Sequence, residues 1–171
     1  ATFAVGFLLS FYLQYIKGFD PQIAGFILIT QPVIQVLCAP IAGRISDRIE
    51  PRIIASTAMA FTTIGLIMFA FLDTGTSMVY LISALVLIGI GFAFFGAPNN
   101  NAILSSVDKK FYGISSAIIA MMRQLGVILG MSTIMMLFSI YIGKVQITPE
   151  YYQPFLIIMK LAFSTSAVLC F

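Results

Sequence analysis

"GRISDRIEPR", residues 43–52, decides how this chain is read. The 171 residues carry only nine Lys or Arg and six Asp or Glu, and five of those charges (Arg44, Asp47, Arg48, Glu50 and Arg52) fall inside this one stretch. On both sides the sequence turns apolar, over 22–43 and 53–72. Each flank has the roughly 20 residues that a helix needs to cross about 30 Å of hydrocarbon. A charged segment between two such runs is a loop that stays in water while its flanks enter a bilayer.

Outward from the loop the same pattern repeats. The chain is 60% hydrophobic and 9% charged, with a mean hydropathy of +1.06, whereas soluble domains are about a quarter charged. Four more apolar runs bring the total to six: 1–16, 22–43, 53–72, 78–104, 113–142 and 155–171. Solid runs of this length predict helices, because an open strand would leave backbone groups unpaired in lipid and barrel strands alternate. The expected fold is an all-α membrane protein, a bundle of six transmembrane helices. The short first and last runs, and an opening Ala in place of Met, predict a piece of a longer chain.

Orientation follows from Lys and Arg, which concentrate in cytoplasmic loops. The 44–52 loop holds three and 105–112 holds two, whereas the other connections hold Lys17, none at 73–77, and Lys144. Rich and poor connections alternate, as successive crossings require. The expectation is a multi-pass protein of the cell membrane with loops 44–52 and 105–112 in the cytoplasm. Tyr12, Tyr15, Tyr80, Tyr141, Tyr151 and Tyr152 then mark the outer interface, and Phe111 and Tyr112 the inner one.

Within the loop, Gly43 can end one helix and Pro51 can open the next. Acidic residues interleaved with basic ones suggest ion pairs that hold two helix ends together, beyond simple anchoring. Gly43, Asp47, Arg48 and Arg52 stand at the positions of G-x-L-x-D-R-x-G-x-R, the loop motif of the major facilitator superfamily, which this stretch resembles; Glu50 replaces the usual second Gly. "LQYIKGFDPQIAG" (13–25) and "GAPNNNAILSSVDKKFYGISSAIIAMMRQLG" (96–126) are similar to the corresponding regions of fourteen-span drug/proton antiporters. The resemblance implies one six-helix half of a transporter, completed by a missing N-terminal half or a second copy. It also implies a gating role for Asp47 and Arg48, with Arg52 as a second cation.

Inside the spans, Arg123 stands out, about ten residues into its run and so roughly 15 Å deep at the helical rise. Intramembrane cations are costly and by default mark function. No Asp or Glu lies inside any predicted span, so its partner is a carbonyl, an amide such as Gln124 or Asn99, a carboxylate from elsewhere, or a substrate. Gln31 and Gln35 share a helix face at mid-depth, with Pro32 between them; they suit an amphipathic cavity and plain interhelical hydrogen bonding equally. Asn99, Asn100 and Asn101 follow Pro98, where amides can satisfy freed backbone groups or line a gate. Lys160 suits either snorkelling or cavity lining. Gly126 and Gly130, and separately Gly89, Gly91 and Gly96, mark faces where helices can approach closely.

The chain has no His, its two cysteines lie in apolar runs, and it has no nucleotide-binding loop or basic stripe. Metal, cofactor, nucleic-acid and enzymatic roles therefore lack support. The function implied is secondary active transport of a small-molecule substrate across the lipid bilayer, most like proton-coupled multidrug or amphipathic-compound efflux. The alternatives are a specific metabolite carrier and a truncated, non-transporting membrane module.

Overall fold

The computed structural model describes residues 2–46, 49–141 and 152–170, and all regular structure among them is helical. Helix α1 (Thr2–Phe11) runs into a π-helical turn, Tyr12–Ile16. Gly18, with φ of +68°, turns the chain in the left-handed region that only glycine adopts without strain. Helices α2 (Pro21–Leu28) and α3 (Thr30–Ser46) then form one long rod. The rod is interrupted at Ile29 because Pro32 has no N–H to give the Leu28 carbonyl four residues earlier. The ladder resumes with Val33 N–H donating to the Ile29 carbonyl at 3.1 Å.

The charged loop differs from expectation in one respect. Helix α3 does not stop at Gly43 but continues three residues to Ser46. Gly43 has no positive φ, so it is an ordinary helical residue there. Pro51 does open α4 (Pro51–Ala70), with Glu50 at the N-cap position. Asp47 and Arg48 lie outside the described residues, and for Arg52 only the helical backbone is described.

Helix α5 (Met78–Ser105) is begun by Ser77, whose hydroxyl accepts from the Tyr80 amide at 3.4 Å. It runs without a break through Pro98. A short 3₁₀ turn, Lys109–Phe111, leads into α6 (Tyr112–Tyr141), and α7 (Tyr152–Cys170) closes the described chain. Five of these segments are long and apolar enough to cross a membrane: Pro21–Ser46, Ile53–Ala70, Met78–Ser105, Lys109–Ile140 and Tyr152–Cys170; Val5–Ile16 is shorter.

Helix α5 is the centre of the bundle, packing most extensively on α4 and α3, with α7 laid against α4. In hydrocarbon, association rests on close van der Waals fit, and small residues permit it. A methyl added to Gly89 would lie 2.8 Å from the Gln31 carbonyl oxygen of α3. One added to Gly91 would lie 2.9 Å from the Ala58 carbonyl oxygen of α4. These two glycines set the spacing of three helices. By contrast, Gly96, Gly126 and Gly130 have nothing within 4 Å of such a methyl.

The core is concentrated at one end of the bundle. Leu13, Leu66, Phe69, Leu81, Leu85, Phe155 and Ile158 are fully buried there. The same end is tied by polar contacts to the α4–α5 turn. The Tyr12 hydroxyl donates to the Asp73 carbonyl at 2.6 Å, and the Lys17 ammonium donates to the Thr74 and Thr76 carbonyls at 2.8 and 2.7 Å. The opposite end, where α3 meets α4 and α5 meets α6, is loosely filled. Helix α6 shows this most: 6% of its most apolar stretch is buried, against 39% for α5.

Candidate functional site

The loosely filled end contains a cavity of about 1280 Å³, larger than the roughly 300–1,000 Å³ of common ligand pockets. Two helices supply most of it, each through one stripe. On α6 the stripe is Ser115, Ile118, Ile119, Met122 and Arg123; on α5 it is Phe92, Phe95, Gly96, Asn99, Asn100 and Ile103. Both follow the i, i+3, i+4, i+7 spacing of one helix face. Helix α1 adds Gly6, Phe7 and Ser10, the α2–α3 rod adds Leu28 and Gln35, and α4 adds Met59 and Thr62.

Four of the sequence candidates therefore share one space: Arg123, Gln35, Asn99 and Asn100. Two do not line it. Gln31 is only 7% exposed and lies where α3 packs against α5 at Gly89. Gln124, one residue and so about 100° round the helix from Arg123, is exposed away from the cavity. Lys160 is not a lining residue either; its ammonium lies over the Phe71 ring at 5.8 Å, toward the closed end.

The polar groups differ in what they have left to offer. Thr62 already donates its hydroxyl to the Ala58 carbonyl at 3.0 Å, and the Ser10 hydroxyl accepts from Gln14 at 2.8 Å. Among the described residues, the side chains of Arg123, Gln35, Asn99 and Asn100 have no hydrogen-bond or ion-pair partner. A guanidinium presents five N–H donors and no acceptor, and each amide presents both kinds. The cavity thus holds a fork of free donors among aromatic and sulfur-containing walls. Phe7 is fixed at the inner wall by edge contacts with Phe11 and Phe138, at ring separations of 4.8 and 6.4 Å.

No Asp or Glu is among the described lining residues. The ion pair between Lys110 and Asp108, at 3.8 Å, is exposed in the α5–α6 connection, away from the cavity lining. Nor does any group of three His, Cys, Asp or Glu come together among the described residues as a metal site.

Sequence reasoning missed the apolar part of the site. The signal was present: counting 3 and 4 residues back from Arg123 and Asn99 gives the stripes through Ile119 and Phe95. Those residue types also suit lipid contact, so composition did not distinguish them.

The family model described as Major Facilitator Superfamily matches residues 1–170. Riboflavin transporter RibZ of Clostridioides difficile is 39% identical over 127 residues, 74% of this chain and 28% of that protein. Uncharacterized transporter YebQ of Escherichia coli is 28% identical over 118 residues, 69% of this chain and 26% of that protein. Multidrug efflux pump LfrA of Mycolicibacterium smegmatis is 22% identical over 135 residues, 79% of this chain and 27% of that protein. The chain thus spans about a quarter of the length of the curated relatives it matches. No solved structure gives a significant match.

Proposed function

The chain belongs to the major facilitator superfamily, and on that premise we propose that it forms one cargo-holding bundle of a secondary carrier working by alternating access. The observation that carries this reading is the asymmetry of the bundle. One end is packed and tied by Tyr12 and Lys17 to the α4–α5 turn, and the other opens into a cavity with unpartnered donors. Carriers of this architecture hold substrate between two bundles that rock about it. The second bundle would come from the remaining length that the relatives possess, or from a second copy.

The open end carries the loops rich in Lys and Arg, 44–52 and 105–112, so the reading places it toward the cytoplasm of a cell membrane. Asp47, Arg48 and Arg52 belong in sequence to the 44–52 stretch, and paired charges in that stretch would hold the cytoplasmic side shut in part of the cycle. Carriage, with no bond made or broken, is the proposed activity. Proton coupling needs a membrane carboxylate. Helices α1 to α7 contain no Asp or Glu, so any coupling group would be supplied by another segment.

Two finer readings remain, each with its own support. Multidrug efflux is favoured by the size of the cavity and by the relative named a multidrug efflux pump. Carriage of a specific metabolite is favoured by the higher identity to the riboflavin transporter. Solute counterflow separates carriage from a non-transporting module. Membrane vesicles bearing the full-length protein are preloaded with unlabelled riboflavin or ethidium and given the labelled compound outside. A carrier accumulates label transiently above its outside concentration, driven by the outward flow of the unlabelled compound. Label that enters no faster than into vesicles without the protein, for these and a wider drug panel, refutes the reading.

A further inference from the structure

We infer that this bundle's side of the cavity selects planar aromatic cargo bearing hydrogen-bond acceptors or a delocalised negative charge, and that it disfavours permanent cations. The inference rests on the proposed reading of this cavity as the cargo site.

The argument is one of charge and donor balance. Arg123 brings a fixed positive charge into the cavity, since a guanidinium does not deprotonate in a protein. Nothing acidic among the described lining residues offsets it. A cationic cargo would have to enter beside that charge, in surroundings of low polarity where repulsion is least screened. Face-on attraction to Phe rings favours a cation, but here it would act in a space that also holds the positive charge of Arg123, which opposes it. An anion or a carbonyl-rich ring meets the opposite situation. The planar guanidinium can give two parallel hydrogen bonds to a carboxylate or to two adjacent acceptors on a ring, a single bond to an imide carbonyl, and it stacks on aromatic faces. Gln35, Asn99 and Asn100 can each give one more donor or take one from a ring N–H. Phe7, Phe92 and Phe95 supply flat walls against which a ring system stacks or packs edge-on.

The site therefore combines hydrogen-bond donors with aromatic walls, which suits a flat heterocycle with an acceptor-rich side. A drug-binding cavity for lipophilic cations would show the reverse pattern, with a carboxylate in place of Arg123.

The test compares three flat probes of similar size that differ in charge: fluorescein as anion, lumichrome as neutral imide, and ethidium as cation. Each is assayed by counterflow in inside-out vesicles bearing the full-length carrier. The expected result is exchange of fluorescein and lumichrome at least tenfold faster than ethidium. Arg123→Gln, at equal abundance in the membrane, should lower fluorescein exchange at least tenfold and lumichrome exchange less. Arg123→Lys should restore part of the fluorescein rate, since it keeps the charge but not the fork. If neither variant accumulates, the probe order in the unmodified protein decides alone. Ethidium exchanging as fast as the other two overturns the inference and leaves the carrier reading standing. Exchange of none of the three above empty vesicles overturns the inference, and the carrier reading then stands or falls on the wider drug panel.

Discussion

Substituting Gly91 by Ala should loosen the bundle at its centre. The added methyl would press on the Thr62 hydroxyl and stand 2.9 Å from the Ala58 carbonyl oxygen and 3.0 Å from the Thr62 amide nitrogen. Ordinary contact begins near 3.4 Å, so α4 and α5 must separate by about half an ångström or the Thr62 side chain must turn away. Two of the three obstacles are backbone and cannot rotate aside. Overpacking of this kind costs about 1–3 kcal/mol. Turning Thr62 would also break its bond to the Ala58 carbonyl, worth about 1 kcal/mol. Against this, replacing a helical Gly by Ala gains about 1 kcal/mol of propensity. The net is a loss of about 1–3 kcal/mol. At about 2–4 °C per kcal/mol for a chain of this size, the midpoint should fall by roughly 2–12 °C. The assay is the fraction of full-length protein that remains monodisperse in detergent after heating. Gly25→Ala is the control, because nothing lies within 4 Å of its added methyl; it should be neutral or slightly stabilising. Adding Thr62→Ala to Gly91→Ala removes one obstacle and should recover part of the loss, a coupling that distant sites do not show. A Gly91→Ala protein as stable as its parent would refute the claim that this glycine sets the α4–α5 spacing.

Other outcomes follow from the same structure. Lys17→Met removes the two bonds to the Thr74 and Thr76 carbonyls; with one bond exposed, the cost should be about 1–2 kcal/mol, read as faster proteolysis within the 73–77 turn. Asp47→Asn should cut the transport rate while membrane abundance stays unchanged, and an unaltered rate would remove the gating role proposed for that loop. A thiol placed at Ser106 should react with an impermeant reagent in inside-out vesicles, and one at Thr76 in right-side-out cells; the reverse result would invert the orientation.

Much of the fold was legible because membrane physics leaves few options. Charge scarcity and long apolar runs imply helices, and the 43–52 loop fixes where two of them end. Local detail was less so. Gly43 was read as a terminator, yet α3 continues to Ser46, since a glycine ends a helix only when it turns left-handed and nothing obliges it to. Gly126 and Gly130 have the spacing of a close-packing motif but no close neighbour among the described residues, whereas Gly89 and Gly91, without that spacing, have several. The motif names residues that allow approach; which helix approaches depends on tertiary arrangement.

The candidate site divides in the same way. Arg123, Asn99, Asn100 and Gln35 were visible because a polar group at membrane depth is expensive and so conspicuous. Phe7, Phe92 and Phe95 were not, because an aromatic wall and a lipid-facing aromatic look alike in sequence. Gln31 illustrates the limit. It shares a face with Gln35, yet one turn along the rod that face has met α5 and is buried.

The central claim is that cargo occupies the cavity between the α5 and α6 stripes, and site-directed thiol protection tests it most directly. Cys38 and Cys170 are replaced by Ser in the full-length protein, and Asn100 is replaced by Cys. Inside-out vesicles are treated with an impermeant thiol reagent, with and without saturating fluorescein. The account predicts rapid labelling at position 100 that fluorescein slows several-fold, with labelling at a Thr76→Cys control in right-side-out vesicles unchanged. Labelling at position 100 that proceeds equally fast with and without a compound shown to exchange would place the cargo elsewhere and contradict it.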